Sequence, residues 1–359
     1  MSKSKRIFMF FFLLCNIAFY SGYKLIIKFN QMENSAYMQK AFDNMKTYIE
    51  VIKEYREELG IEIDKEYDPN STGVIGEEYN EITTTMGHLQ AKRTSTNPNM
   101  ASLIVSFFMQ LGLNAGDNVA IGSSGSFPSL LLATVGACEA MNLNPLIIIS
   151  AGASQWGANI PDLTLIHMAK KLNENGYGQF KPIAVSIGGD DDIGRGLMGY
   201  GQAMLEDIVF NSGYEVIYEE DFEKNISRRM ETYFKKANGG IKAFVNIGGA
   251  ITNTGKSVEF LKLKPGINEI KEFPKASETG VLYEMAKKNV SVIHLLYMKG
   301  ISTQYGIDYD PIPLPEELDD DINFDITGNS LKLKILLIAY YIFLFIMFSA
   351  FLLYRKSKN

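Results

Sequence analysis

Cysteine, histidine and tryptophan are scarce in this 359-residue sequence, with two, three and one residues respectively. Cys15 lies in an apolar run near the start and Cys138 in a stretch of helical pattern, so the region between the ends holds one thiol and an internal disulfide there is excluded. No CxxC, HExxH or paired metal motif is present, so no zinc site or other metal centre is expected, and no cofactor is implied. An excess of basic charge is missing too. The 35 Lys and Arg against 41 Asp and Glu give a net charge of −6; Lys3, Lys5 and Arg6 hold +3 at one end and Arg355, Lys356 and Lys358 hold +3 at the other, which leaves −12 between them. A body this acidic has no face to neutralise phosphates, and nucleic acid is excluded as a partner. A content of 46% hydrophobic and 12% aromatic residues excludes a disordered chain.

Two long apolar runs are present. Residues 7–23 carry no charge and one clear polar interruption, Asn16, and the run resumes past Lys24, so a tilted helix could reach the roughly 20 residues that span a bilayer. A cleaved signal peptide is the rival, but no A-x-A stands near residues 18–22, and an uncleaved anchor is expected. Residues 335–354 are uncharged throughout and rich in aromatics, where a buried soluble helix would show a polar stripe. The outer flanks hold three cations each against Lys24 and Lys28, and Lys332 and Lys334, on the inner flanks. The positive-inside rule then predicts both termini in the cytoplasm of a two-pass membrane protein, with the main domain outside it.

Between the runs, three patterns divide the chain. The expected organisation is an anchor over residues 1–27, a helical membrane-proximal region over 28–116, an α/β domain over 117–304, a tether over 305–332 and a second membrane helix over 333–354. Residues 38–59 carry apolar side chains at helical spacing, closed by Gly60. A polar stretch, 83–98, precedes a second helix at 99–113. From residue 117, short apolar runs at 118–122, 145–150, 183–187, 215–218, 243–247 and 291–295 alternate with helical patterns at 127–141, 162–175, 193–212, 222–237 and 278–288. That alternation predicts an α/β fold: an open, mostly parallel, Rossmann-like sheet with helices on both faces. Residues 305–330, with Pro311, Pro313, Pro315 and an acidic run, read as a solvated tether; the acidic run lacks an EF-hand pattern.

In an open α/β sheet the ligand crevice lies beyond the carboxyl ends of the strands, and four loops there stand out. Gly122 to Pro128 reads GSSGSFP: Ser123, Ser124, Gly125 and Ser126 at a helix start can cradle an anion. The loop only partly matches a nucleophile elbow, since it reads G-x-S-x-S; Ser124 is a candidate nucleophile, and helix capping is the plainer role for these serines. The second loop, SAGASQWGAN, sets Trp156 among small residues ahead of Asn159, as a stacking wall or as a lid on a hydrophobic edge. The third, GGDDDIGRG, places Asp191 and Asp192 where they cap a helix, hold a cation or act as general acid and base, with Arg195 as an anion clamp. The fourth contains Asn246, Gly248 and Gly249 and runs into A-x-x-x-x-G-K-S, a chance match to a nucleotide loop, because its first glycine is Ala250 and Pro265 follows soon after. His167 and His294 fall on a helical face and in an apolar strand and are expected to be structural, and no spacing supports a Ser/His/Asp triad. Lys92 and Arg93, before a helix in an acidic body, are the local site suited to a carboxylate-bearing ligand.

Taken in order, AKRTSTNPNMASL, GDNVAIGSSGSFPSL, SAGASQWGAN, GGDDDIGRG and KAFVNIGGA resemble the poly-gamma-glutamate system protein family of bacteria, over about residues 83–249 and with matching terminal spans. The resemblance implies an accessory membrane protein that works beside the ligase and the membrane component of poly-gamma-glutamate synthesis and export, at the cell envelope and in capsule formation. The matching positions it points to are Lys92, Arg93, Ser123, Ser124, Ser126, Trp156, Asn159, Asp191, Asp192, Arg195 and Asn246; it implies no catalytic role for any of them. The charge arithmetic limits the partner. An acidic body repels a long polyanion unless contact is confined to local cations, which favours a chain end, a small anionic ligand or a partner protein. The alternative is an extracytoplasmic hydrolase or transferase acting on the glutamyl polymer through Ser124 or Asp191 and Asp192.

Overall fold

The computed structural model describes residues 3–197, 199–319 and 331–356. In chain order the helices are α1 (Lys3–Glu58), α2 (Leu89–Ser95), α3 (Asn99–Gln110), α4 (Pro128–Ala140), α5 (Leu165–Glu174), α6 (Gly201–Phe210), α7 (Phe222–Lys236), α8 (Ile251–Thr254), α9 (Val281–Lys287), α10 (Met298–Tyr305) and α11 (Leu331–Lys356). The strands are β1 (Asn118–Ser124), β2 (Asn144–Ser150), β3 (Ala184–Ser186), β4 (Ile241–Ile247), β5 (Gly266–Asn268) and β6 (Ser291–Leu295). They form two compact units, one of residues 1–36 with 325–359 and one of residues 37–324.

The first unit contains two helical stretches, Phe8–Ile26 and Lys334–Phe351, long and apolar enough to cross a membrane. Asn16, the polar interruption of the first, is satisfied in both directions: its Nδ2 donates to Phe12 O at 2.7 Å and its Oδ1 accepts from Tyr340 OH at 2.6 Å. A polar group in an apolar helix needs such a partner. Phe19 packs beside the same contact, 5.0 Å from Tyr340 and 5.5 Å from Phe343 between ring centroids.

In the second unit the later part of α1 buries Met38, Ala41, Phe42, Met45, Tyr48 and Ile52, one face at helical spacing. Gly60, at φ 68°, ends it. The sheet has six strands in the order β3-β2-β1-β4-β6-β5, parallel throughout except that β5 runs antiparallel to β6. β1 is buried at every position, which is why its middle, Val119, Ala120 and Ile121, reads as a short apolar run and not as an alternation. On one face α7 and α9 deliver Ile226, Tyr233, Leu282 and Met285 onto Ala120, Ile148 and Phe244; α4 packs against β1 and β2. The order reverses between β1 and β4, so the loops after these two strands part and leave a crevice beyond their ends.

Several expectations shift. At residues 215–218 only a bridge forms, Val185 with Val216, because the partner strand β3 is three residues long. The helix expected from residue 193 starts at Gly201. Gly188, Gly189, Asp191, Asp192, Gly194 and Gly196 all have positive φ, so the chain coils into tight turns before any helix begins. β5, α2 and α10 went unread because each is short. Residues 306–319 do not form a solvated tether. They strap onto the helices: Asp310 N donates to Thr94 Oγ1 at 2.9 Å, Asn70 Nδ2 to Pro311 O at 2.9 Å and Lys46 Nζ to Glu316 O at 3.0 Å. Residues 37–116 belong to the same compact unit as the sheet. Asp320 and Asp321 of the acidic run, and the rest of the tether to residue 330, lie outside the described residues.

Candidate functional site

The loops after the strands converge on one cavity of about 740 Å³ at the carboxyl edge of the sheet. Parallel register brings them there: Ser124 of β1 pairs with Ser150 of β2, which pairs with Ser186 of β3. The loops can interleave because of glycine. A Cβ on Gly152 would lie 2.8 Å from Thr84 Cγ2 and 3.0 Å from Gly189 N, and one on Gly188 would lie 2.8 Å from Gly152 N. Residues of the 84–92 segment also line it, and Phe260, Leu261 and Leu296 add apolar surface beside the hydroxyls of Ser124, Ser126, Ser150 and Ser154.

Lys92, brought to the cavity by α2, is its dominant feature. It is 2% exposed. Its Nζ donates to Ser126 O and, at 2.7 Å, to Ser154 Oγ, and sits 4.0 Å above the Phe127 ring centroid. Among the described residues no carboxylate pairs with it, and burial pulls its pKa down from 10.5 to about 7. Arg93 turns the other way, as adjacent helical residues must, about 100° apart. Its Nε and Nη2 donate to the two carboxylate oxygens of Asp310 at 2.6 and 2.5 Å, holding the 306–319 strap. The two cations read together in the sequence thus part: one faces the cavity and one faces the strap.

Ser124 and Ser126 line the cavity; Ser123 and Gly125 do not. Ser124 Oγ accepts from Ser126 N at 3.4 Å and lies where a Cβ on Gly248 would meet it at 2.9 Å. Ser126 Oγ accepts from Ser154 N at 3.1 Å. His294 lines the cavity from β6, and Asn246 Nδ2 donates to its Nδ1 at 2.9 Å and to Gly248 O at 2.9 Å. That bond assigns the imidazole proton to Nε2. Burial drops the His294 pKa to about 4, so it is neutral near pH 7. No hydrogen bond joins His294 to Ser124 among the described residues, and its Nδ1 is taken by an amide, so a Ser/His/Asp relay is not assembled. Thr252, 1% exposed, also lines the cavity with its Oγ1 lacking any hydrogen-bond partner. Gly249 is part of the lining, beside Ala250.

The remaining expected site residues have other work. Asp192 touches the cavity but is locked: Oδ1 accepts from Ser186 Oγ at 2.9 Å and Ser150 Oγ at 3.2 Å, and Oδ2 accepts from Arg229 Nη2 at 2.6 Å and Asn225 Nδ2 at 3.1 Å. A carboxylate with this partner set is a scaffold, not a free acid or base. Asp191 and Arg195 pair with each other at 3.0 Å on the surface, and neither lines the cavity. Lys256 of the nucleotide-loop lookalike reaches Asp191 at 3.6 Å and the Phe222 ring, and α8 ends after one turn, so no phosphate cradle forms. Trp156 packs on Tyr67 with ring centroids 6.0 Å apart, outside the cavity. Asn159 fixes the 77–83 loop: its Oδ1 accepts from Glu77 N at 3.0 Å and its Nδ2 donates to Glu77 O and Thr83 Oγ1 at 2.9 Å each. His167 caps α5, accepting from Thr164 N at 3.3 Å.

Sequence reasoning passed over Ser154, Thr252 and the Arg229–Asn225 pair. A basic residue on a helix looks solvated until its partner is known, and Ser154 is one serine among many; only its place in the second loop hinted at it. Among the described residues no cluster of three or more His, Cys, Asp or Glu side chains is arranged to hold a metal ion. The arrangement can bind a group that is part polar and part apolar, and it can move a proton at Lys92. No protein-family model, curated protein or solved structure matches the chain.

Proposed function

We propose that this chain is a membrane-anchored accessory component of a bacterial poly-gamma-glutamate synthesis and export system, and that its cavity receives a chain end or small glutamyl fragment of the polymer. The observation that carries this reading is Lys92: an amine buried in a cavity, with no acid paired to it among the described residues, gains a counter-ion and holds its proton when a carboxylate enters. Lys299 stands at the lining as a second, exposed cation for a ligand of more than one charge. The blocks of sequence that carry the family resemblance supply four of the loops around the cavity, and its size suits a short fragment rather than a long polyanion. The strand order and the crevice at its reversal fit a Rossmann-like sheet, whose ligands bind at that place. With both termini cytoplasmic, the sheet and its cavity face outward and work beside the ligase and membrane component.

Titration of the detergent-solubilised full chain with γ-linked glutamate oligomers, followed by calorimetry, tests the binding. The expected result is saturable binding that weakens at least about tenfold in Lys92→Met, the loss of one charge-assisted contact. Binding equal in both proteins would sink the reading. Reporter fusions at Asn70 and Asn329 test the topology, and a cytoplasmic score at either reverses it. The hydrolase alternative loses Asp191 to the surface and Asp192 to its ion pair.

A further inference from the structure

We propose that Ser154 is the nucleophile of an acyl-transfer site in which Lys92 is the general base. The two side chains come from different segments, the 150–159 loop and α2, yet Nζ and Oγ stand 2.7 Å apart inside the cavity. Lys92 Nζ also contacts the Ser126 carbonyl. Nζ is the donor to Ser154 Oγ in the structure; once the amine is neutral it carries one lone pair and two protons, and across the same 2.7 Å that lone pair can accept the Ser154 hydroxyl proton instead. Ser154 Oγ makes no other hydrogen bond among the described residues, so its proton has no competing acceptor. A serine hydroxyl needs an adjacent base to attack, and burial away from acids is one way to make an amine neutral at working pH.

The charged and titratable groups around the cavity do not oppose this. His88 precedes α2, Asp190 and Asp192 come from the loop after β3, His294 from β6, Tyr297 and Lys299 from the start of α10 and Tyr309 from the strap. Asp192 is neutralised by Arg229, and the lowering of the Lys92 pKa to about 7 arises from burial alone. Replacing a buried, unpaired lysine by an apolar residue should stabilise a protein, so its presence marks a task.

The step balances with water as the one co-reactant. Ser154 Oγ forms a bond to the carbonyl carbon of an amide while its proton moves to Lys92 Nζ. The C–N bond breaks, the amine leaves with the proton from Lys92, and an ester to Ser154 remains. Water then attacks the ester, Lys92 takes and returns its proton, and a free carboxylic acid and Ser154 are released. The Ser126 hydroxyl accepts from Ser154 N at 3.1 Å, so its own proton is available to the developing oxyanion. Thr252, buried with an unpartnered hydroxyl on the same lining, offers a further contact to substrate. The substrate class is an amide of a short acyl group, and its assignment as a γ-glutamyl amide rests on the function proposed above; the nucleophile itself does not.

The full chain in detergent is treated with a fluorophosphonate probe and, separately, with p-nitrophenyl acetate, and the modified residue is located by mass spectrometry. Labelling is expected at Ser154, with a rate that rises through about pH 7 to a plateau, the profile of a base losing its proton. Ser154→Ala abolishes it. Lys92→Met slows it by about 10²-fold or more, and Lys92→Arg does not restore it, since a guanidinium stays charged. Circular dichroism of each variant separates loss of reactivity from loss of fold. Labelling at another serine, undiminished labelling in Ser154→Ala, or no labelling of a folded wild-type chain overturns the proposal. If γ-linked oligomers bind while Ser154 stays unreactive, the acyl-transfer site falls and the binding reading stands; if Ser154 reacts while the oligomers neither bind nor are cleaved, the reverse holds.

Discussion

Two of the cations buried within the same α/β unit, Arg229 and Lys92, live under opposite conditions. Arg229 of α7 is 1% exposed and faces Asp192, Asn225, Ser150 and Ser186, a closed set in which charge meets charge. Lys92 of α2 is 2% exposed and, among the described residues, meets a carbonyl, a hydroxyl and a ring but no acid. Burying an ion costs several kcal/mol unless a counter-ion and hydrogen bonds return it. At Arg229 they do, and the result is a clasp holding the glycine-rich loop after β3 against α7. At Lys92 they do not, so the amine sheds its proton near neutrality or waits for an anion. The same operation, burying a cation, builds scaffold in one place and reactivity in the other.

The largest effect should come from opening the closed set. Arg229→Ala leaves Asp192 as an uncompensated buried carboxylate and is expected to lower stability by ~3–5 kcal/mol. Urea unfolding of the full chain measures it. A change below about 1 kcal/mol would mean that water reaches Asp192 and that the pair is no clasp. Lys92→Met is expected to move the other way, with a melting temperature equal to or above that of the wild type at pH 7. The sign follows from the protons bound. Between about 7 and 10.5 the unfolded lysine holds a proton that the folded one lacks, so wild-type stability rises with pH across that window and levels off below it. The gap between Met variant and wild type is therefore widest at and below about pH 7 and closes toward 10.5. Melting curves across this range check it, and a gap that does not narrow contradicts a neutral buried amine.

Much of this arrangement could be read from the sequence. Five runs, now β1, β2, β3, β4 and β6, are apolar and flanked by helical patterns, so the parallel sheet and the place of its crevice were legible. The chemistry of the crevice was legible only in part. Lys92 and Arg93 are adjacent and equally basic, and the helical phase alone sends one inward and the other to Asp310. Arg228 and Arg229 present the same ambiguity on α7: Arg228 pairs with exposed Glu215 at 3.0 Å while its neighbour enters the core. The triple aspartate hides a similar split: a helix cap, a cation site and an acid–base pair all treat Asp191 and Asp192 alike, but two consecutive residues at φ 54° and 65° point Asp191 to solvent and Asp192 into the protein. Partner choice at this resolution depends on contacts between segments far apart in sequence, which no local pattern encodes.

The smallest effect sharpens the comparison from the surface. Asp191 differs from Asp192 by one position, and its pairs with Arg195 and Lys256 stand at 3.0 and 3.6 Å with Arg195 54% exposed. Such pairs gain little Coulomb energy in water and lose side-chain freedom, so they contribute about 0–1 kcal/mol and less at high salt. Asp191→Ala should therefore shift urea unfolding by no more than about 1 kcal/mol and leave fluorophosphonate labelling unchanged, because the side chain lies outside the cavity. Asp191 also holds a left-handed φ that alanine tolerates poorly, so Asp191→Asn, which keeps that conformation while removing the charge, should fall closer still to wild type. A loss comparable to that of Arg229→Ala would show that the charge at Asp191 supports the loop as strongly as the buried clasp does, and would erase the distinction between the two aspartates.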